Sequence, residues 1–165
     1  MLDSSLYYRI KDYNNTLSGV VTLGQYNGST LVDFVENQNY VSQLICSGNK
    51  GLDVIVPNRI FERAYDLQLS DSTASKKCKL TFNKFNENEQ SVVSNLNIYG
   101  WGETENASEL GNLNGLSYLR LTNSGVKDIS WIRSLTNLTY LDLNSNGFSD
   151  ISSLGSLEKI NMIDE

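Results

Sequence analysis

The hexapeptide Leu116-Ser-Tyr-Leu119-Arg-Leu121 returns at a step of 22, from 116 to 138, as Leu138-Thr-Tyr-Leu141-Asp-Leu143, and at the same step once more as Ile160-Asn-Met-Ile163-Asp-Glu165. Between the first two copies, Val126, Ile129, Ile132 and Leu135 map onto Phe148, Ile151, Leu154 and Leu157. A period of this length constrains the fold more tightly than any local propensity. A unit this short cannot bury its own apolar face, so it must stack on copies of itself. Upstream, Leu96-Asn-Ile98 precedes Leu119-Arg-Leu121 at a step of 23, and Leu67-Gln-Leu69, Leu44-Ile-Cys46 and Val21-Thr-Leu23 continue at steps of 29, 23 and 23. The chain therefore divides into an N-terminal cap over 1–17, degenerate repeats over 18–93 and regular repeats, with a step of 22 or 23, over 94–165. The step of 29 implies an insertion near 74–93, where Leu80, Phe82 and Phe85 add apolar side chains. No C-terminal cap is recognisable. An open stack exposes apolar ends and a strand edge, so self-association or assembly through residues 138–165 is expected.

The run L-x-x-L-x-L followed by I-x-x-L-x-x-L is the leucine-rich pattern. Residues 116–163 resemble the 22-residue bacterial repeat class found in internalins. Asn146-Gly-Phe-Ser-Asp-Ile151 and Val126-Lys-Asp-Ile129 carry the N-x-I-x-D-I-type element of that class, with Ser124 standing where the family has asparagine. The resemblance implies an α/β, strand-rich solenoid. Its right-handed coil would carry the LxL strands in one parallel concave sheet, with short turns or 3-10 segments on the convex side. It also implies a protein-binding role at an extracellular or cell-surface location, although this chain shows no signal peptide.

Composition narrows the function further. Against 19 Asp and Glu there are only 13 Lys and Arg, so no cationic excess exists to neutralise a phosphate backbone and nucleic acid is not an expected partner. No apolar run reaches the ~20 residues that a bilayer-spanning helix needs, so membrane insertion is not expected either. Histidine is absent, which removes the commonest general base and any Ser-His-Asp or Cys-His arrangement. An enzyme is not expected, nor a cofactor or metal. Cys46 and Cys78 stand far apart in the chain without CxxC spacing, which suggests neither a zinc nor a redox motif. Buried thiols are expected, with a disulfide between them as the alternative.

Strand periodicity turns the LxL leucines inward and their neighbours outward. Tyr118 and Tyr140 then share one outward column, Arg120 and Asp142 a second, and Tyr99 lies in a third. Because strands in a sheet stand ~4.8 Å apart, these side chains form a compact patch of the types over-represented at interface hot spots. Cross-strand packing of the two tyrosines is the plainer reading of that column, and a surface ion pair the plainer reading of Arg120 with Asp142. Trp101, in Tyr99-Gly-Trp-Gly102, reads either as an exposed anchor for protein or sugar or as filler for an atypical coil. The candidate binding set is thus Tyr99, Trp101, Tyr118, Arg120, Tyr140 and Asp142. It points to non-catalytic recognition of a protein partner through the concave face. The alternative is a structural subunit or fragment of a larger surface, secreted or virion assembly, docked through the uncapped end.

Overall fold

A computed structural model of the chain describes residues 8–10, 19–23, 31–34, 41–46, 53–56, 61–62, 65–73, 77–85 and 91–160. The described strands are β1 (Tyr8–Ile10), β2 (Gly19–Leu23), β3 (Leu31–Phe34), β4 (Val41–Cys46), β5 (Asp53–Val56), β6 (Asp66–Asp71), β7 (Lys79–Phe82), β8 (Asn95–Tyr99), β9 (Glu103–Glu105), β10 (Tyr118–Thr122) and β11 (Tyr140–Asp142). The LxL segments form one parallel sheet in the order β11-β10-β8-β6-β4-β2. This is the stacked solenoid, one strand of the sheet per repeat, that the period predicts. Leu96, Leu119 and Leu121 point inward and are fully buried.

On the opposite side the chain changes character along its length. Ala107–Asn112, Ser130–Ser134 and Ser152–Ser156 are 3-10 segments. Their apolar residues recur every third position, which matches the three residues per turn of that helix. In the middle coil Val126, Ile129, Ile132, Leu135 and Leu138 are all buried. The Asp of the repeat fixes where each turn begins, with Asp128 Oδ1 accepting from Ser130 N and Asp150 Oδ1 from Ser152 N, both at 2.9 Å. That backbone donor holds the Asp150 carboxyl below its ordinary pKa.

The earlier coils depart from the expected turns and 3-10 segments. Their convex stretches build a second parallel sheet, β1-β3-β5-β7-β9. In β5 and β7 the residues alternate, with Val54, Val56, Leu80 and Phe82 buried and Ile55, Lys79 and Thr81 half-buried. That period of two is what a strand requires. Within the stretch read as an insertion, Lys79–Phe82 is therefore a regular member of this sheet. The added length lies on either side of it, including the connection 72–78 between β6 and β7, where the next coil has only 100–102. Within the span read as a cap, Tyr8–Ile10 pairs with β3, and the rest of 1–17 lies outside the described residues.

Two further details correct the sequence reading. Leu44 pairs with Leu69 and Cys46 with Asp71, two positions beyond the alignment of Leu44 with Leu67. A slip of two keeps every side chain on its own face, so apolar patterning does not detect it. The second concerns the last described coil. Leu141 and Leu143 are only half-buried and Ile151 is 60% exposed, although its counterpart Ile129 is 1% exposed. Described residues cover that coil on one side only, and 161–165, with the last copy of the hexapeptide, lie outside them.

Candidate functional site

The candidate patch is assembled by strand register. Tyr118 stands opposite Tyr140, Arg120 opposite Asp142, and Thr122 opposite Tyr99. The Tyr118 and Tyr140 rings stack with centroids 4.2 Å apart and planes 2° from parallel. Arg120 Nε lies 3.2 Å from Asp142 Oδ2. Tyr99 is 36% exposed, and its hydroxyl accepts a hydrogen bond from Gln68 Nε2 at 3.0 Å. All of these side chains therefore lie on the outward face of the LxL sheet.

Trp101 does not join them. It is 2% exposed, and its indole Nε1 donates to Leu69 O at 3.1 Å. Of the two roles open to it, core filler is the one it takes, and it leaves the binding set. The cause is local: the turn between β8 and β9 is short, so the side chain at that position is drawn under the coil.

Burial pushes the Tyr118 phenol above the ordinary value of 10.0, assisted by the hydrogen bond and the charge of Tyr140 and opposed by Arg120. A phenol with a raised folded pKa stays neutral in the fold while the unfolded chain ionises. Its contribution is thus intact below pH ~10 and declines as pH rises above that value. Thermal melts across this range should show the decline, and Tyr118→Phe should flatten it.

Beside the tyrosine stack runs a shallow notch of about 270 Å³, lined by Asp66, Gln68, Asn95, Leu96, Asn97 and Tyr118. It exists because short Asn95 and Asn97 stand in register between Tyr118 and Arg120 on one side and Asp66 and Gln68 on the other. Asn97 Oδ1 is shielded from solvent without a hydrogen-bond partner among the described residues. Sequence reading passed over this notch. The signal was present in the outward positions of Asp66-Leu-Gln68 and Asn95-Leu-Asn97, polar side chains grouped together where the later coils carry tyrosine and arginine.

Chemically the face offers stacked rings, amides and one internally satisfied ion pair. Nothing in the patch pairs a nucleophile with a base. The polar core of the coil is equally committed. Asn146 Nδ2 donates to Leu121 O and, at 2.9 Å, to Leu143 O, while its Oδ1 accepts from Ser124 N at 3.1 Å. At the position where the resembled family has asparagine, buried Ser124 donates to Thr122 O at 2.8 Å. A hydroxyl thus serves part of the role of the longer amide.

Residues 108–162 match the family model of leucine-rich repeats in two copies. No curated protein and no solved structure matches the chain. The match supports a leucine-rich-repeat protein, a class whose members generally mediate protein–protein interaction and are typically not enzymes. Among the described residues no helix is long and apolar enough to cross a membrane.

Proposed function

We propose that the chain is a non-catalytic recognition module that binds a protein partner through the concave LxL sheet, toward its C-terminal half. One observation carries this reading: Tyr99, Tyr118, Arg120, Tyr140 and Asp142 sit on neighbouring strands of a single outward face. Tyrosine and arginine supply large contact area and paired hydrogen bonds, which is why they dominate binding energy at interfaces. An extracellular or cell-surface setting, as the internalin-like resemblance of 116–163 implies, suits such a module. The acidic balance of the chain argues against nucleic acid as the partner.

The test is a double substitution. Replacing Tyr118 and Tyr140 with alanine should weaken binding of a partner captured from extracts by at least ~2 kcal/mol while the circular dichroism spectrum is retained. The stack itself contributes about 0.5 to 1.5 kcal/mol to the sheet, so some loss of stability is expected alongside. Unchanged affinity would move the site off this face.

A second reading is favoured by the half-buried Leu141, Leu143, Leu154 and Leu157 of the last described coil. Such a surface suits docking of a further chain or coil in an assembly through residues 138–165. Light scattering over a concentration series separates the two, since a chain that remains monomeric throughout gives this reading no support.

A further inference from the structure

Along β6, β8 and β10 the described inward side chains are apolar, Leu67, Leu69, Leu96, Ile98, Leu119 and Leu121, with Asp71 as the exception among them. Asp71 follows Leu67 and Leu69 in the inward positions of β6, is 2% exposed, and stands opposite Cys46 at the end of β4. Cys78, immediately before β7, closes over the same point. The two sulfurs and a carboxylate oxygen of Asp71 all lie within 4.8 Å of one another, and both cysteines are fully buried. Each residue is held in place by its backbone or its carboxylate. Asp71 Oδ1 accepts from Thr73 N at 2.8 Å and Thr73 Oγ1 at 2.6 Å, and Oδ2 accepts from Cys78 N at 2.5 Å. Cys46 O accepts from Ser72 N at 2.8 Å, and Cys78 O from Gly102 N at 3.0 Å. The nearest basic side chain in these contacts, Lys77, directs its ammonium to the Asp71 main-chain oxygen at 3.4 Å rather than to the carboxylate.

We propose that Cys46, Asp71 and Cys78 form a zinc-binding site. Two thiolates and a carboxylate oxygen are a donor set that zinc accepts, whereas calcium and magnesium require oxygen alone. Tetrahedral zinc with bonds of ~2.0 to 2.3 Å places its donors ~3.3 to 3.8 Å apart, within reach of small side-chain rotations from the present spacing. A carboxylate has about four lone-pair directions, and Thr73 and the Cys78 backbone engage three of them, so one on Oδ2 can turn to the ion. A water completes the fourth position, as in other sites with three protein ligands. On binding, both thiol protons leave to solvent, and the doubly charged ion meets two thiolates and one carboxylate. Simple core packing accounts for the cysteines but not for a carboxylate in an apolar column. The hydrogen bonds to Thr73 and Cys78 account for the carboxylate but not for two thiols converging on it from different coils. A metal accounts for all three, and it ties β4, β6 and β7 together.

The test uses the reduced full chain, refolded with one equivalent of Co²⁺ so that a buried site is accessible to the ion. Visible ligand-field bands of a four-coordinate centre should appear with a near-ultraviolet thiolate-to-cobalt band, and Zn²⁺ should abolish both. Cys46→Ser and Cys78→Ser should each lose roughly half of the charge-transfer intensity. Asp71→Asn should keep that band while weakening Zn²⁺ binding at least ~10-fold. The wild-type spectrum is decisive without any variant. No thiolate band after refolding of the reduced chain with Co²⁺ overturns the proposal.

Discussion

Trp101→Ala should destabilise the fold by about 3 to 5 kcal/mol, a large share of the roughly 5 to 15 kcal/mol typical of a folded domain. Trp101 is among the largest fully enclosed side chains, and it lies in the short turn between β8 and β9. Its neighbours are strands of a stacked solenoid, each fixed by hydrogen bonds to the coils above and below, so the void cannot close by collapse of one element. The loss also removes a hydrogen bond. Leu69 O, on the preceding coil, receives the indole Nε1 at 3.1 Å, and a bond of this kind contributes about 0.5 to 1.5 kcal/mol. Trp101→Phe separates the two contributions by restoring most of the ring without the N–H, and should lose only about 1 to 3 kcal/mol. Urea unfolding followed by circular dichroism reads both variants. A cost below ~1 kcal/mol for Trp101→Ala would return the indole to the surface and to the binding face.

The reason Trp101 was ambiguous in sequence explains where pattern reading succeeds and stops. Leu119-Arg-Leu121 and Leu141-Asp-Leu143 fall in register because an unbroken period leaves one alignment, and β10 and β11 pair accordingly. The 3-10 segments were expected from the resemblance alone, and the spacing of three at Ile129, Ile132 and Leu135 agrees with them. Upstream, Asp53-Val-Ile-Val56 and Lys79-Leu-Thr-Phe82 are too short to announce themselves as strands. What makes them strands is a parallel partner on each side, supplied by coils distant in sequence. The register between β4 and β6 was hidden by symmetry, because a slip of two is silent to hydrophobic alternation. That slip sets Cys46 beside Asp71 rather than beside Leu69, so the buried cluster was invisible to spacing. The outward patch fared better. Tyr118, Tyr140, Arg120 and Asp142 belong to the regular coils, where one-dimensional spacing translates directly into cross-strand neighbours.

Gly100→Ala, the addition of a single methyl group, should cost on the order of 3 kcal/mol. Gly100 has φ +84°, and a Cβ built there would collide with the main-chain carbonyl oxygen of Asp71. The left-handed conformation alone costs an L-residue roughly 1 to 2 kcal/mol. The collision adds to this because neither side can yield cheaply. Gly100 N donates to Thr122 O at 3.3 Å on one side, and on the other Asp71 ends β6 and grips Thr73 and Cys78 through its carboxylate. Relief therefore requires moving one coil against the next. Gly155 provides the internal comparison, for it lies in the 3-10 segment Ser152–Ser156, outside the left-handed region, with nothing within 4 Å of a built Cβ. Gly155→Ala should stay within ~0.5 kcal/mol of the wild type. Both variants add the same methyl group, so denaturant midpoints compared in one experiment isolate the effect of position. Equal midpoints would mean that Gly100 does not press against Asp71, and that the close approach of these two coils is not a constraint on the fold.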